Sequence, residues 1–248
     1  MNVYLNRIDG IDDAIVSMLF SKRSWTKETE NRIRNINRMV NEPIGRYIPQ
    51  DSEFASQNEK LYEEYNDYLE KLLKWGTIHP TLLRFIDLSI TVEGLHRAGQ
   101  DDWDAHAMRF QNRIMRSSTA FAKFEQNEIS EFYADKIIPT DVALNSLGLD
   151  VPQIITTDDG IKYVKCVNGY VREDLKDTKS VLRGLYMLSI PSNFIFRCNF
   201  ADWSHVYKER GKHGGANPEV KELAERIADL LQEWQPKFTR ELFMKIKC

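Results

Sequence analysis

The stretch Ile86-Asp87-Leu88-Ser89-Ile90-Thr91-Val92-Glu93 decides the fold class. Apolar Ile86, Leu88, Ile90 and Val92 alternate with polar Asp87, Ser89, Thr91 and Glu93, the two-residue period of a half-buried strand. The sequence on both sides of it has a helical period instead. A chain that changes period in this way is a mixed α/β protein.

Upstream, Asp12 to Lys22 carries Ile15, Met18 and Leu19 at helical spacing. Thr26 caps a second helix with Ile33, Ile36, Met39 and Val40 on one face, ending near Pro43. Ser56-Gln57-Asn58-Glu59 reads as a capping box opening a third helix, with Leu61, Tyr65, Tyr68, Leu69, Leu72 and Leu73 on its apolar stripe. Gly76 stops that helix as a left-handed cap. Residues 1–73 are thus expected to be helical. Downstream, a helical period from Asp101 puts Trp103, Ala107, Phe110, Ile114 and Phe121 on one side, with Asp101, Asp102 and Asp104 in a first turn that favours anions. Ile154 to Val171 reads as small hairpins turning at Asp159-Gly160 and Asn168-Gly169. Helical signals return over Thr178 to Leu188, stop before Pro191 and resume after Asn199. Asn217-Pro218-Glu219 opens a helix through Leu223, Ile227, Leu230 and Leu231 to Trp234, and Pro236 opens a short last helix. No repeat, low-complexity tract or linker interrupts the chain, so residues 1–248 read as one domain.

Net charge is −3 and the pI about 6.0, which argues against a nucleic-acid binder, whose domain pI exceeds roughly 9. Three cysteines without CxxC spacing argue against a disulfide framework and a zinc site. Neither a signal segment at Met1 nor a membrane-length apolar run is visible, so the expected location is cytoplasmic and no membrane partner is expected. There is no GxGxxG after a strand, no P-loop, no GxSxG elbow and no HExxH. His96 and His106 beside Asp101, Asp102 and Asp104 read as surface histidines next to a solvated helix start rather than as metal ligands, and no metal is expected.

Two segments carry chemistry. Asn127, Glu128 and Ser130 offer an amide, a carboxylate and a hydroxyl within four residues, able to bond a base or phosphate, and equally readable as a solvated helix end. On a helix, Asn199, Asp202 and His205 are near neighbours at i, i+3 and i+6, and Arg210 ends the helix. Arg183 lies in the apolar run Val181 to Leu188, where it needs an anion: a structural carboxylate or a ligand phosphate.

The order of these pieces resembles flavin-dependent thymidylate synthase. Asn127-Glu128-Ile129-Ser130-Glu131-Phe132-Tyr133 matches that family's N-E-x-S-x-x-Y; Arg183, Asn199, His205, Arg210 and His213 follow in its order. Asn217 to Ala224 resembles its W-E-I-R-E-L-A helix, and Lys74 to Pro80 its H-G-H-x-x-P entry to a strand. The likeness covers roughly residues 74–140 and 178–246. It implies an α+β fold, a mostly antiparallel sheet wrapped by long helices, assembled as a homotetramer. It implies a methyltransferase making dTMP from dUMP, with FAD as cofactor and NADPH and methylene-tetrahydrofolate as co-substrates. Arg183, Arg210, Ser130 and Glu128 would then hold dUMP, with Arg210 also catalytic. Asn127, Asn199, His205, His213 and Arg116 would face FAD.

The departures are specific. Ala120-Phe121-Ala122 stands where the family has R-H-R; Phe132 replaces an Arg and Leu83 an entry His. A register using Asn112-Arg113 gives Q-N-R for R-H-R but loses N-E-x-S. Residues 94–104 look inserted, and 151–176 are hairpins where a helix is usual. A nucleotide-binding relative without flavin, and a scaffold or interaction protein, therefore stay open as alternatives.

Overall fold

In a computed structural model, the chain is described over residues 1–41, 52–106, 109–114, 152–166, 169–175, 191–211 and 216–247. Strand β2 (Asp87–His96) sits inside a four-stranded antiparallel sheet of order β1-β2-β7-β3, with β1 at Asn2–Asp9, β3 at Phe110–Ile114 and β7 at Pro191–Asn199. Leu88, Ile90, Val92 and Leu95 of β2 are fully buried, as the alternation demands. The register with β7 slips between Val92 and Leu95. Gly94 takes a positive φ of 76° at that irregularity and donates its N–H to Asn193 Oδ1 at 2.9 Å. A separate three-stranded antiparallel meander follows the order β4 (Ile154–Thr156), β5 (Lys162–Cys166), β6 (Gly169–Arg172), with Gly160 at φ +80° in the first turn.

Helices α1 (Ile11–Ser21), α2 (Lys27–Asn41) and α3 (Ser52–Gly76) pack on one another, and α1 and α3 also pack on the 3-10 turn Pro80–Phe85. The expected stripes bury: Ile15, Met18, Ile33, Ile36, Tyr65, Leu69, Leu72 and Leu73 all enter the core, whereas Met39 is exposed. Beyond β2 come α4 (Arg97–Asp104), then α5 (Phe200–Arg210), α6 (Pro218–Trp234) and α7 (Arg240–Lys245). Helix α6 packs along β1 and against α4; α5 packs against the 3-10 turn, α6 and α7. Trp103 of α4, Phe196 of β7 and Trp203 of α5 meet at ring-centroid separations of 5.4 and 6.4 Å, and Phe243 of α7 adds an edge at 6.1 Å to Trp203. Burying each of these rings contributes roughly 2–3 kcal/mol.

Several sequence expectations are corrected. Residues 1–73 are not all helical, because Asn2–Asp9 pairs with β2. The helix expected from Asp101 instead starts at Arg97 and ends at Asp104, so Asp101, Asp102 and Asp104 lie in its last turns. Phe110–Ile114 is strand β3, held by ladder bonds to β7 that outweigh the helical spacing of its apolar residues. Residues 191–199, between two helical signals, form strand β7: Phe194, Phe196 and Cys198 are buried in alternation with Asn193, Ile195 and Arg197. Helix α3 begins at Ser52, ahead of the capping-box residues, and α7 begins after its cap Thr239, not at Pro236. Gly76 is the last residue of α3 and has no positive φ, so it is not a left-handed cap; a Cβ there would lie 2.5–2.7 Å from the Leu83 side chain. The residues numbered 94–104, read as an insertion, finish β2 and build α4.

Candidate functional site

The candidate site is the seam between α4 with its following turn and α5. Asn199 caps α5: its Oδ1 accepts from Asp202 N at 2.8 Å and its Nδ2 donates to Asp202 Oδ2 at 2.9 Å. Its side chain is buried and engaged within the chain. Asp202 is then placed to meet Arg109, whose Nη1 lies 3.4 Å from Asp202 Oδ1. His205 follows one turn on, half-exposed, with its ring 6.1 Å from His106 in an edge-on arrangement. At the far end of this 11-residue helix, about 16 Å from Asn199 along the axis, Arg210 Nη2 lies 3.2 Å from Asp102 Oδ1.

Arg109, His106, His205 and Arg210 thus gather four basic groups. Burial, and after it the Arg210 guanidinium and His205, lower the pKa of His106. Burial, then Arg109, lower that of His205. Both imidazoles are therefore biased toward the neutral form, in which each nitrogen can donate or accept as the tautomer dictates. His106 Nε2 and Arg210 Nε are buried without a hydrogen-bond partner among the described residues. Two guanidiniums, each paired to an aspartate, and two neutral imidazoles, with unused buried nitrogens among them, are chemically suited to an anion or to the polar edge of a heterocycle.

A second polar contact lies behind the seam. His96 Nδ1 abuts Glu219 Oε2, and the same oxygen accepts from His96 N at 3.1 Å. Glu219 is fully buried in the first turn of α6, where the helix dipole favours its charge. Burial pushes the His96 pKa down to about 4. His96 and His106 are therefore both buried, contrary to the expectation of surface histidines. The polarity of Asp101, Asp102 and Asp104 suggested solvent at this place; Trp103, fully buried between them, was the contrary signal. Among the described residues no group of three or more His, Cys, Asp or Glu side chains could hold a metal ion. No described helix is long and apolar enough to cross a membrane.

Of the residues expected to form the site, Asn199, His205 and Arg210 are described: Asn199 ends β7 and caps α5, and α5 carries the other two. Arg183, Ser130, Glu128, Asn127, Arg116 and His213 lie outside the described residues, as do Ala120-Phe121-Ala122 and Phe132. The structure adds Arg109, which sequence reasoning missed, brings in His106 and Asp102, which it read as solvated surface groups, and pairs Asp202, named there as a neighbour of His205, with Arg109. The available signal for His106 and Arg109 was their position just after the buried Trp103.

The sequence matches the thymidylate synthase complementing protein family, Thy1, over residues 23–237. No curated protein matches it. Among solved structures, the chain is similar to the flavin-dependent thymidylate synthase ThyX of Helicobacter pylori complexed with FAD and dUMP: TM-score 0.54, 13% identity, all of both chains covered. It is also similar to PolB of Streptomyces cacaoi, a UMP/dUMP methylase bound with 5-Br dUMP: TM-score 0.53, 12% identity, 98% of this chain and 94% of that one. At such identities these likenesses bear on the fold, a mixture of helices and antiparallel sheet.

Proposed function

The chain belongs to the thymidylate synthase complementing protein family, and from that premise we propose that it converts dUMP to dTMP, using FAD, NADPH and methylene-tetrahydrofolate. The observation that supports this reading is the polar seam, where Arg210 and Arg109, each with an aspartate, meet the imidazoles of His106 and His205 in a fold shared with proteins solved with dUMP and FAD. A nucleotide monophosphate is a dianion at neutral pH, and a guanidinium fork is its natural partner.

In this reading Arg210 binds dUMP together with Arg183, Ser130 and Glu128, and stabilises negative charge as the pyrimidine reacts. His205, beside Arg109, faces FAD together with Asn127, His213 and Arg116. The half-exposed imidazole and its neighbouring guanidinium fit the pyrophosphate or the polar ring edge of a flavin. Asn199 supports the flavin side indirectly, by capping α5 and orienting Asp202. When bound, the flavin supplies the hydride; the protein positions the partners and excludes water. A cytoplasmic homotetramer with sites between subunits completes the proposal.

The second reading, a nucleotide binder that has lost flavin, is favoured by the uncharged Ala120-Phe121-Ala122. The two separate in one preparation. The enzyme reading expects a yellow protein that forms dTMP from dUMP with NADPH and methylene-tetrahydrofolate, read by chromatography. Stabilisation by dUMP without flavin absorbance or product would select the second reading. Indifference to dUMP, by calorimetric titration, would remove both.

A further inference from the structure

The Arg210–Asp102 pair has an unusual geometry for a largely buried ion pair. A carboxylate can take an arginine fork with both oxygens. Here Asp102 gives Arg210 one oxygen, Oδ1 to Nη2 at 3.2 Å, while Oδ2 is turned toward the backbone N of Asn217 at 3.4 Å. Arg210 Nε stays buried without a hydrogen-bond partner among the described residues, and His106 Nε2 is in the same condition. The Arg210 side chain is only 18% exposed, so water is a poor substitute for a second anion. The carboxylate is on α4, the guanidinium on α5 and the amide at the cap of α6.

We propose that Asp102 is a resident counter-anion of Arg210, displaced when a phosphomonoester binds. This rests on the reading that Arg210 holds the nucleotide phosphate. Before the ligand arrives, Asp102 neutralises a guanidinium that would otherwise be a lone, largely buried charge. It does so weakly, through one oxygen, so the fork keeps donors for an incoming group. A phosphate offers three oxygens and about two charges. It can accept from Arg210 Nε and Nη2 together, and from His106 Nε2 in the protonated-Nε2 tautomer. A neutral nucleoside offers nothing to exchange for the carboxylate. Asp102 thereby sets how tightly a dianion is held and leaves a neutral ligand untouched, making it a residue that tunes the affinity for the phosphate. The exchange forms and breaks no covalent bond.

The test is calorimetric titration of the full chain with dUMP, inorganic phosphate and deoxyuridine, in native protein, Asp102→Asn and Arg210→Met. Removing a competing negative charge a few ångströms from the phosphate should tighten dUMP and inorganic phosphate about tenfold or more in Asp102→Asn, with deoxyuridine unchanged. Arg210→Met should lose dUMP binding. If Arg210→Met loses dUMP but Asp102→Asn binds it no tighter than native, the exchange is overturned while the nucleotide reading of Arg210 stands. If Arg210→Met binds dUMP as native does, both fall. Should Asp102→Asn not hold its fold, Asp102→Glu replaces it: a longer carboxylate reaches further over the fork and should weaken dUMP several-fold without touching deoxyuridine. Equal weakening of both ligands, or of neither, overturns the proposal.

Discussion

The aromatic layer between β7 and α5 and the polar seam between α4 and α5 share a helix but obey different rules. In the layer, Phe194, Phe196, Phe200, Trp203, Phe238 and Phe243 are all but fully buried and fill space against one another. In the seam, burial falls on His106, Arg210 and Gln100, each with a buried nitrogen that finds no hydrogen-bond partner among the described residues, whereas in the layer it is the Trp203 indole nitrogen that is in this condition. Leaving such a group unsatisfied costs about 1–3 kcal/mol. A fold selected for stability alone would fill that space as it fills the layer. The difference teaches that the layer fixes where α5 lies, and that under the proposed function the seam gives up some of that stability for recognition.

The comparison breaks most visibly at Phe196. Truncating it to alanine removes the ring that meets Trp103 and Phe194, at 5.4 and 6.0 Å. The expected loss is about 3–5 kcal/mol in denaturant unfolding, from lost burial and the cavity left behind. In the fraction still folded, dUMP affinity should stay within about twofold, since the layer contributes no group to the ligand. A large loss of affinity at unchanged stability would mean that the two regions are not separable.

How much of this was legible in the sequence follows from the same contrast. Periodic burial is written in one dimension, so β2 and the apolar stripes of α1, α3 and α6 could be read directly. Strand β7 has an equally clear alternation at Phe194, Phe196 and Cys198 but stood hidden between two helical signals. Strand β3 was unreadable in principle: its apolar residues fit a helix, and only pairing to a strand some eighty residues later selects the extended form. The seam was half legible. Asn199, His205 and Arg210 fall in one short segment and could be named, but Asp102, His106 and Arg109 join them through packing around Trp103, which no local pattern encodes.

The next effect concerns acid. His96 is held in its neutral form by burial, with its pKa pushed down to about 4. Its unfolded value is near 6.5, so below that pH the unfolded chain binds the extra proton and the folded chain resists it. The contribution is therefore fully present above about pH 6.5 and lost as pH falls toward 4. By pH 5 the loss is about 2 kcal/mol at most, since the Asp102 carboxylate works against the shift. Melting temperatures between pH 7.5 and 5 should fall, and His96→Gln should flatten the slope. An equally steep slope in that variant would assign the acid sensitivity elsewhere.

A smaller effect separates the two roles open to Asn199. Asn199→Ala should cost about 1–2 kcal/mol through the lost cap. Asn199→Ser, which can still accept from Asp202 N, should recover most of it. If Asn199 acts only as the cap, flavin affinity follows stability and returns in the serine variant. Flavin binding that stays weak in a serine variant of native stability would instead place the amide against the cofactor.

The smallest expected effect lies in the seam itself and turns on His106. Its pKa is lowered by burial, then by Arg210 and then by His205. Arg210 is the larger of the two basic groups that lower it, with Glu209 and Asp102 opposing them, so a bound phosphate that neutralises Arg210 should remove part of the depression and leave burial in place. The folded, liganded protein should then hold a proton on His106 at a pH where the free protein does not. Linkage fixes the sign: ligand binding takes up protons, so affinity should rise as pH falls from about 7.5 to 6. The phosphate of dUMP itself titrates near pH 6 and works in the opposite direction. The quantity to compare is therefore the native protein against His106→Gln. Calorimetry in two buffers of different ionisation enthalpy should show an uptake of a fraction of a proton in the native protein that is absent in the variant. The affinity difference between them should be no more than a few-fold, because His106 lies beside the guanidinium and is not the main charge. Equal proton uptake in both would show that Arg210 is not neutralised by the ligand, and would place the phosphate elsewhere on the molecule.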